Sequence, residues 1–165
     1  VCSKVEIEMN TIVSTANLNA PNQTVISGKD EGIHAAVKIL KERGHRKCIK
    51  LNVSIASHSK VMLPTINKFK IALNELNIRM PKYEILHNVD SKRSSTIDDL
   101  KGKLLSQLTK PVQWVNTMKY IKKSSGIIIE CGPGKVLSGL AKANNIDTVY
   151  SASSENFMND LNKIL

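Results

Sequence analysis

At 165 residues, 41% hydrophobic and 23% charged, the chain has enough material for one folded domain or two small lobes, and its composition is not that of a disordered segment. The net charge of +10 would attract phosphates, nucleic acid or an acidic protein; however, only four of the 24 basic residues are Arg and aromatics make up 4%, so a base-reading or base-stacking surface is not expected. No apolar run approaches the ~18 residues needed to cross a bilayer, and three cysteines without paired spacing argue against a disulfide framework or a zinc site and for a reducing cytoplasm.

The N-terminal "VCSKVEIEMN" lacks the apolar stretch of a signal peptide. It also lacks a starting Met, so the chain is expected to begin inside a longer one. "TIVSTAN" (11–17) and "QTVISG" (23–28) read as strands joined by the turn "LNAPN". "DEGIHAAVKILKERG" follows as an amphipathic helix: Ile33, Val37 and Leu40 share a face, acids open it and Gly44 stops it. "KCIKLNVSI" reads as a third strand. Strand, strand, helix, strand is the order of the last four elements of a ferredoxin-like βαββαβ unit, whose first strand and helix would lie upstream of residue 1.

Met62, Ile66, Phe69, Leu73 and Leu76 then mark one stripe of a long helix. "YEIL" (83–86) reads as a short strand and "HNVDSKRSS" as a polar loop. Ile97, Leu100, Leu104 and Leu108 outline a helix ended by Pro111, and "QWVNTMKYIKKSSG" another closed by Gly126. "GIIIECGPGKVLSGLAKANN" has the pattern of a buried strand, a glycine turn and a helix. "TVYSA" and "ENFMNDLNKIL" add a last strand and helix. Such alternation predicts a layered α/β core with a mainly parallel sheet.

Of the four histidines, His58 in "NVSIASHSKVM" is the most informative. It stands at the predicted strand-to-helix junction, where open α/β sheets place functional groups, and small residues leave space around it. Two readings remain open on these local facts, a catalytic acid/base and an ordinary loop histidine. His34 is expected on the polar face of its helix, His45 in a basic turn and His87 at a strand end. No pair of them has metal-ligand spacing, so no metal site is expected. Cys131 reads as a nucleophile or, more simply, as a small apolar filler at a strand end. "ECGPGK" (130–135) invites a phosphate-loop reading but lacks the length and order of G-x-x-x-x-G-K-[ST]; a tight strand-to-helix turn is the plainer account. No G-x-S-x-G elbow occurs, and Ser57 and Ser59 are too close in sequence to His58 for a usual Ser–His pair.

Four segments in order, "ANLNAPNQTVISG", "VSIASHSKVM", "SQLTKPVQW" and "ECGPGKVLSGL", closely resemble the C-terminal half of malonyl-CoA:acyl carrier protein transacylases, from about Thr11 onward. The resemblance implies the C-terminal part of an α/β-hydrolase-like acyltransferase core with an incomplete ferredoxin-like small subdomain. Residues 1–52 would be the partial subdomain and 53–165 the core portion. It implies that His58 is the base that deprotonates an elbow serine and later the carrier's phosphopantetheine thiol. It further implies that the backbone carbonyl of Gln107, rather than a carboxylate, orients that imidazole, which accounts for finding no suitably placed acid near a strand end. Asn17 and Asn19 would line the cleft between small lobe and core, holding its loop geometry or contacting substrate. Asn88, in "HNVD" where the family has N-N-V-D, would be a structural turn residue.

The resemblance also implies malonyl-CoA and phosphopantetheinylated acyl carrier protein as substrates, with no separate cofactor, in fatty-acid synthesis in the cytoplasm. The elbow G-H-S-x-G, the G-Q-G oxyanion segment and the arginine that would pair with malonate's carboxylate are missing from these 165 residues. This chain alone is therefore expected to be inactive and to need a complementary N-terminal half. The competing expectation is a non-catalytic module that holds acyl carrier protein or CoA through its basic surface. A small nucleic-acid-binding domain is a third, disfavoured by the scarcity of Arg and aromatics.

Overall fold

The computed structural model describes residues 1–124 and 126–163. Helix α1 (Cys2–Glu8) leads into the hairpin of β1 (Val13–Ala20) and β2 (Gln23–Gly28), followed by α2 (Asp30–Glu42). A 3-10 turn (Lys60–Thr65) runs into α3 (Ile66–Glu75); α4 (Ile97–Ser106) and α5 (Trp114–Ile121) come next. The chain then forms β3 (Ile128–Glu130), α6 (Val136–Ala143), β4 (Val149–Ser151) and α7 (Phe157–Asn162). β3 and β4 pair in parallel, with the glycine turn and α6 as their crossover.

The fold is α/β, but several expected strands differ. β1 does not end at Asn17: it runs on to Ala20, leaving Pro21 and Asn22 as a two-residue turn, so Asn17 and Asn19 lie on the strand. Register shifts fall between Thr15 and Asn17 and between Leu18 and Ala20, and such bulges kink and re-aim a strand. α1 was not expected, and it corrects the view that the small subdomain's first helix lies outside the chain. Its Val5 is 1% exposed and packs with Val13 and Ala36, so the helix seals the apolar face of the hairpin beside α2.

The strand expected over 47–55 is not formed. Ile49, Leu51, Val53 and Ile55, which alternate in sequence, are 50–82% exposed. "YEIL" likewise forms no strand, with Tyr83 and Ile85 exposed. Alternation makes a segment capable of pairing, but a ladder needs a neighbour to complete its hydrogen bonds. Among the described residues, the sheets are the β1–β2 hairpin and the β3–β4 pair, rather than one mainly parallel sheet.

The long helix expected after His58 starts as a 3-10 turn containing Pro64, and its stripe is buried at Leu73 while Leu76 lies outside it, exposed. The helix expected over 113–126 ends at Ile121, and part of its tail, like the end of the last helix at 164–165, falls outside the described residues. A second apolar cluster of Met118, Ala141, Ile146 and Val149, flanked by Trp114, Ile121 and Ile128, packs α5 and α6 onto the parallel pair. β1 connects this cluster to the hairpin. It bridges Val112 in parallel through Leu18 N–H to Val112 O (2.9 Å) and Val112 N–H to Ala16 O (2.8 Å).

Candidate active site

His58 sits in the turn between the extended 47–55 segment and the 3-10 turn, with φ +59°. Left-handed backbone costs an L-residue roughly 1–2 kcal/mol, so something must hold it. Ser59, fully buried at 0% exposure, donates its hydroxyl to Ala56 O (2.7 Å) and accepts from Val61 N–H (3.3 Å). The serine set aside as a partner for His58 is therefore the residue that closes the turn around it.

The half-buried imidazole places Nδ1 2.6 Å from the backbone oxygen of Gln107. A carbonyl only accepts, so Nδ1 carries the proton and the neutral ring leaves the lone pair on Nε2. That is the tautomer a general base requires. Gln107 caps the C-terminus of α4, where carbonyls lack intrahelical partners, so its oxygen is free to take the imidazole.

The two asparagines are placed less directly. Asn17 bridges Val112, five residues beyond Gln107 on the same segment. The backbone oxygen of Asn19 accepts from Asn144 Nδ2 (2.8 Å), which ties β1 to the end of α6. Among the described residues no hydrogen bond joins either asparagine side chain to His58.

Asn88 O accepts from Gln113 N–H (2.7 Å) and Ser91 Oγ donates to Gln113 O (3.0 Å), so the "HNVDS" turn clasps residue 113 by both backbone groups. His87, 7% exposed, contacts Ser94 Oγ through Nε2 (2.7 Å). Burial first, and then the Lys103 ammonium, push its pKa down against the pull of Asp90 and Asp99. A depressed folded value means the stability His87 contributes is complete above its unfolded pKa and is lost as pH falls through the folded one. Thermal stability is thus expected to decline as pH drops below about 6.5, and His87→Asn to flatten that dependence in calorimetric scans.

Glu130, at the end of β3, is the carboxylate that sequence reasoning overlooked; an acid closing an apolar run was the available signal. It accepts from Leu137 N–H (3.0 Å), Ser138 N–H (2.8 Å) and Ser138 Oγ (2.6 Å). These bonds, the Ser138 hydroxyl foremost, hold its pKa below the usual carboxylate range. The amides at the start of α6 that a phosphate would use are thus already occupied, and the glycine turn is a strand-to-helix link. Glu130→Ala is expected to lower the urea midpoint by leaving buried donors unpaired, an effect that shrinks as acid protonates Glu130 in the parent protein. Cys131 is exposed and so is not the buried filler the sequence suggested.

No family model matches the chain. It is 40% identical over 146 residues to the malonyl CoA-acyl carrier protein transacylase of Bacillus subtilis, covering 88% of this chain and 46% of that protein. The Haemophilus influenzae protein of the same name is 33% identical over 138 residues, covering 83% and 44%. The chain is related to malonyl CoA-acyl carrier protein transacylases. It spans about half the length of the curated relatives it matches. FabD from Acinetobacter baumannii superposes with TM-score 0.91 at 34% identity over 99% of this chain and 52% of that one. A malonyl-transacylase solved in complex with its type II PKS acyl-carrier protein gives 0.86 at 30% identity, over 98% and 53%. The His58–Gln107 contact fixes an imidazole whose Nε2 lone pair is left free to accept a proton.

Proposed function

We propose that this chain supplies the histidine base and its orienting carbonyl to a malonyl-CoA:acyl carrier protein transacylase whose serine and oxyanion donors come from residues outside these 165. The observation that carries this is the 2.6 Å contact from His58 Nδ1 to Gln107 O, which leaves Nε2 as the base. In the first half-reaction Nε2 takes the serine proton as the oxygen attacks the malonyl thioester. The carbon–sulfur bond breaks, and the imidazolium returns the proton to the departing CoA thiolate. In the second, Nε2 takes the proton of the carrier's phosphopantetheine thiol, the thiolate attacks the acyl-serine, and the proton returns to the serine oxygen. The Gln107 carbonyl dipole favours the imidazolium formed in each half.

The exposure of Ile49, Leu51, Val53 and Ile55, apolar residues that alternate in sequence, supports a complementary half as partner. This run ends three residues before His58, and a strand laid along it would bury apolar surface and complete backbone hydrogen bonds. The test is to co-express this chain with the serine-bearing N-terminal half of the Bacillus subtilis relative and assay malonyl transfer from malonyl-CoA to carrier protein. Transfer by the purified pair and by neither half alone is expected. Turnover by this chain alone, or a stable pair without turnover, would overturn the reading.

A second reading, a non-catalytic module for acyl carrier protein, draws on an open hollow of about 550 Å³ lined by Lys92, Arg93, Lys119 and Lys123. Carrier binding by this chain alone that weakens steeply with salt, with no transfer by the pair, would favour it.

A further inference from the structure

We propose that Ser59 is the positioning residue that sets the reach and orientation of His58; this rests on the reading of His58 as a base. His58 holds φ +59°, a conformation whose cost the histidine's own contact with Gln107 does not explain, because that contact involves only the ring. The backbone on both sides of the histidine is fixed by one side chain. Ser59 Oγ donates to Ala56 O, two residues before His58, and accepts from Val61 N–H, three residues after it. The same serine's carbonyl accepts from Met62 N–H (3.0 Å), and Thr65 Oγ1 donates to Met62 O (2.7 Å), so the 3-10 turn is braced from its first residue to its last.

A hydroxyl is the group suited to this position. It is both donor and acceptor, and it is short enough to reach backbone on either side of its own residue. A side chain longer than serine or cysteine would not fit a site with no exposed surface. Ser57 supplies the contrast: it is also adjacent to His58, but it is exposed, and its side chain makes no hydrogen bond among the described residues. One neighbouring serine is structural to the turn, and the other is not.

The turn in turn decides whether the ring can meet Gln107, which lies 49 residues further along the chain. If residue 58 relaxes to φ below zero, its Cα–Cβ bond swings away and the contact to the α4 C-terminus is lost. The ring is then free to take either tautomer.

The test is nuclear magnetic resonance on the full chain with 15N-labelled histidine, at a pH where the rings are neutral. The parent protein is expected to show His58 in the Nδ1–H form with a positive-φ coupling pattern. Ser59→Ala is expected to convert His58 to a mixture of tautomers and to abolish that coupling pattern, while the His87 ring signals and the amide dispersion stay as they were. Ser59→Cys, whose thiol fits the same space and can still bridge, is expected to restore the Nδ1–H form in part. Ser57→Ala is expected to change nothing. Persistence of the parent His58 signature in a folded Ser59→Ala protein would overturn the proposal. Should that variant fail to fold, the parent chain decides: a Ser59 hydroxyl proton in slow exchange supports the bridge, and one exchanging freely with water overturns it. None of these readouts involves acyl transfer. Failure of the paired halves to turn over would defeat the transacylase reading without moving the His58 signature, and the converse also holds.

Discussion

His58→Ala, tested in the complex with a serine-bearing half, is expected to reduce malonyl transfer by about 10²–10⁴-fold, the usual contribution of a positioned general base. The loss should appear in kcat for both half-reactions, since the proposed mechanism assigns the same Nε2 to serine and thiol. Gln107→Ala, by contrast, is expected to leave the rate close to that of the parent, because only the backbone oxygen of residue 107 meets the imidazole. Two site residues thus differ sharply in mutational cost although they share one hydrogen bond. Rapid-quench measurement of acyl-enzyme formation and of its transfer to carrier checks both. If His58→Ala acylates the serine as fast as the parent, the imidazole is not the base. If Gln107→Ala loses as much as His58→Ala, the Gln107 side chain does something the geometry gives no reason to expect.

This asymmetry bears on what was legible in the sequence. A histidine at the end of an extended run, followed by a helical pattern, marked a candidate site, but local residues alone favoured an ordinary loop histidine. The ordered motifs then linked it to "SQLTKPVQW", and the structure brings Nδ1 and the Gln107 carbonyl together across 49 residues. No residue-level pattern encodes a carbonyl orienter, because every residue has the group. Glu130 was overlooked, and Ser59 was weighed only as a nucleophile, for a related reason. Their work is short-range bonding to backbone amides and carbonyls, and it becomes visible only when the turn and the start of α6 exist.

The elements follow the same rule. The helix α2 was legible from apolar spacing, opening acids and a closing glycine, all local properties, and Gly44 indeed takes φ +89° just beyond it. The hairpin was legible too, although its turn is shorter than composition suggested, because ladder pairing and the bridge to Val112 extend β1 past the asparagines. The strands expected over 47–55 and 83–86 failed for lack of neighbours, since strand formation is a property of pairs. The seven-residue α1 gave too little periodicity to notice, and its single fully buried side chain, Val5, takes its place from tertiary packing.

Gly28→Ala is expected to destabilise the fold by about 3 kcal/mol, the upper end of the ordinary cost of overpacking. A Cβ at residue 28 would stand 2.1 Å from the Ile12 carbonyl oxygen and 2.7 Å from Val13 Cα, both backbone atoms that cannot rotate away. The Ile12 oxygen already accepts Lys29 N–H at 2.8 Å, the bond that delivers the chain from β2 into α2. Opening the hairpin there would also disturb Gly32, whose Cβ position is 3.0 Å from Thr11 and Val13 side-chain atoms, and the Val5–Val13–Ala36 cluster beneath it. Gly102→Ala is the matched control, because nothing lies within 4 Å of its Cβ position inside α4. It should stabilise the protein by roughly 1 kcal/mol through helix propensity. Urea unfolding of the two variants should therefore move the midpoint in opposite directions with little change in slope. Equal and small effects would mean that β1 and β2 are not held this closely in solution. The register that sets Asn17 against Val112, five residues from the carbonyl that orients His58, would then lack its fixed frame.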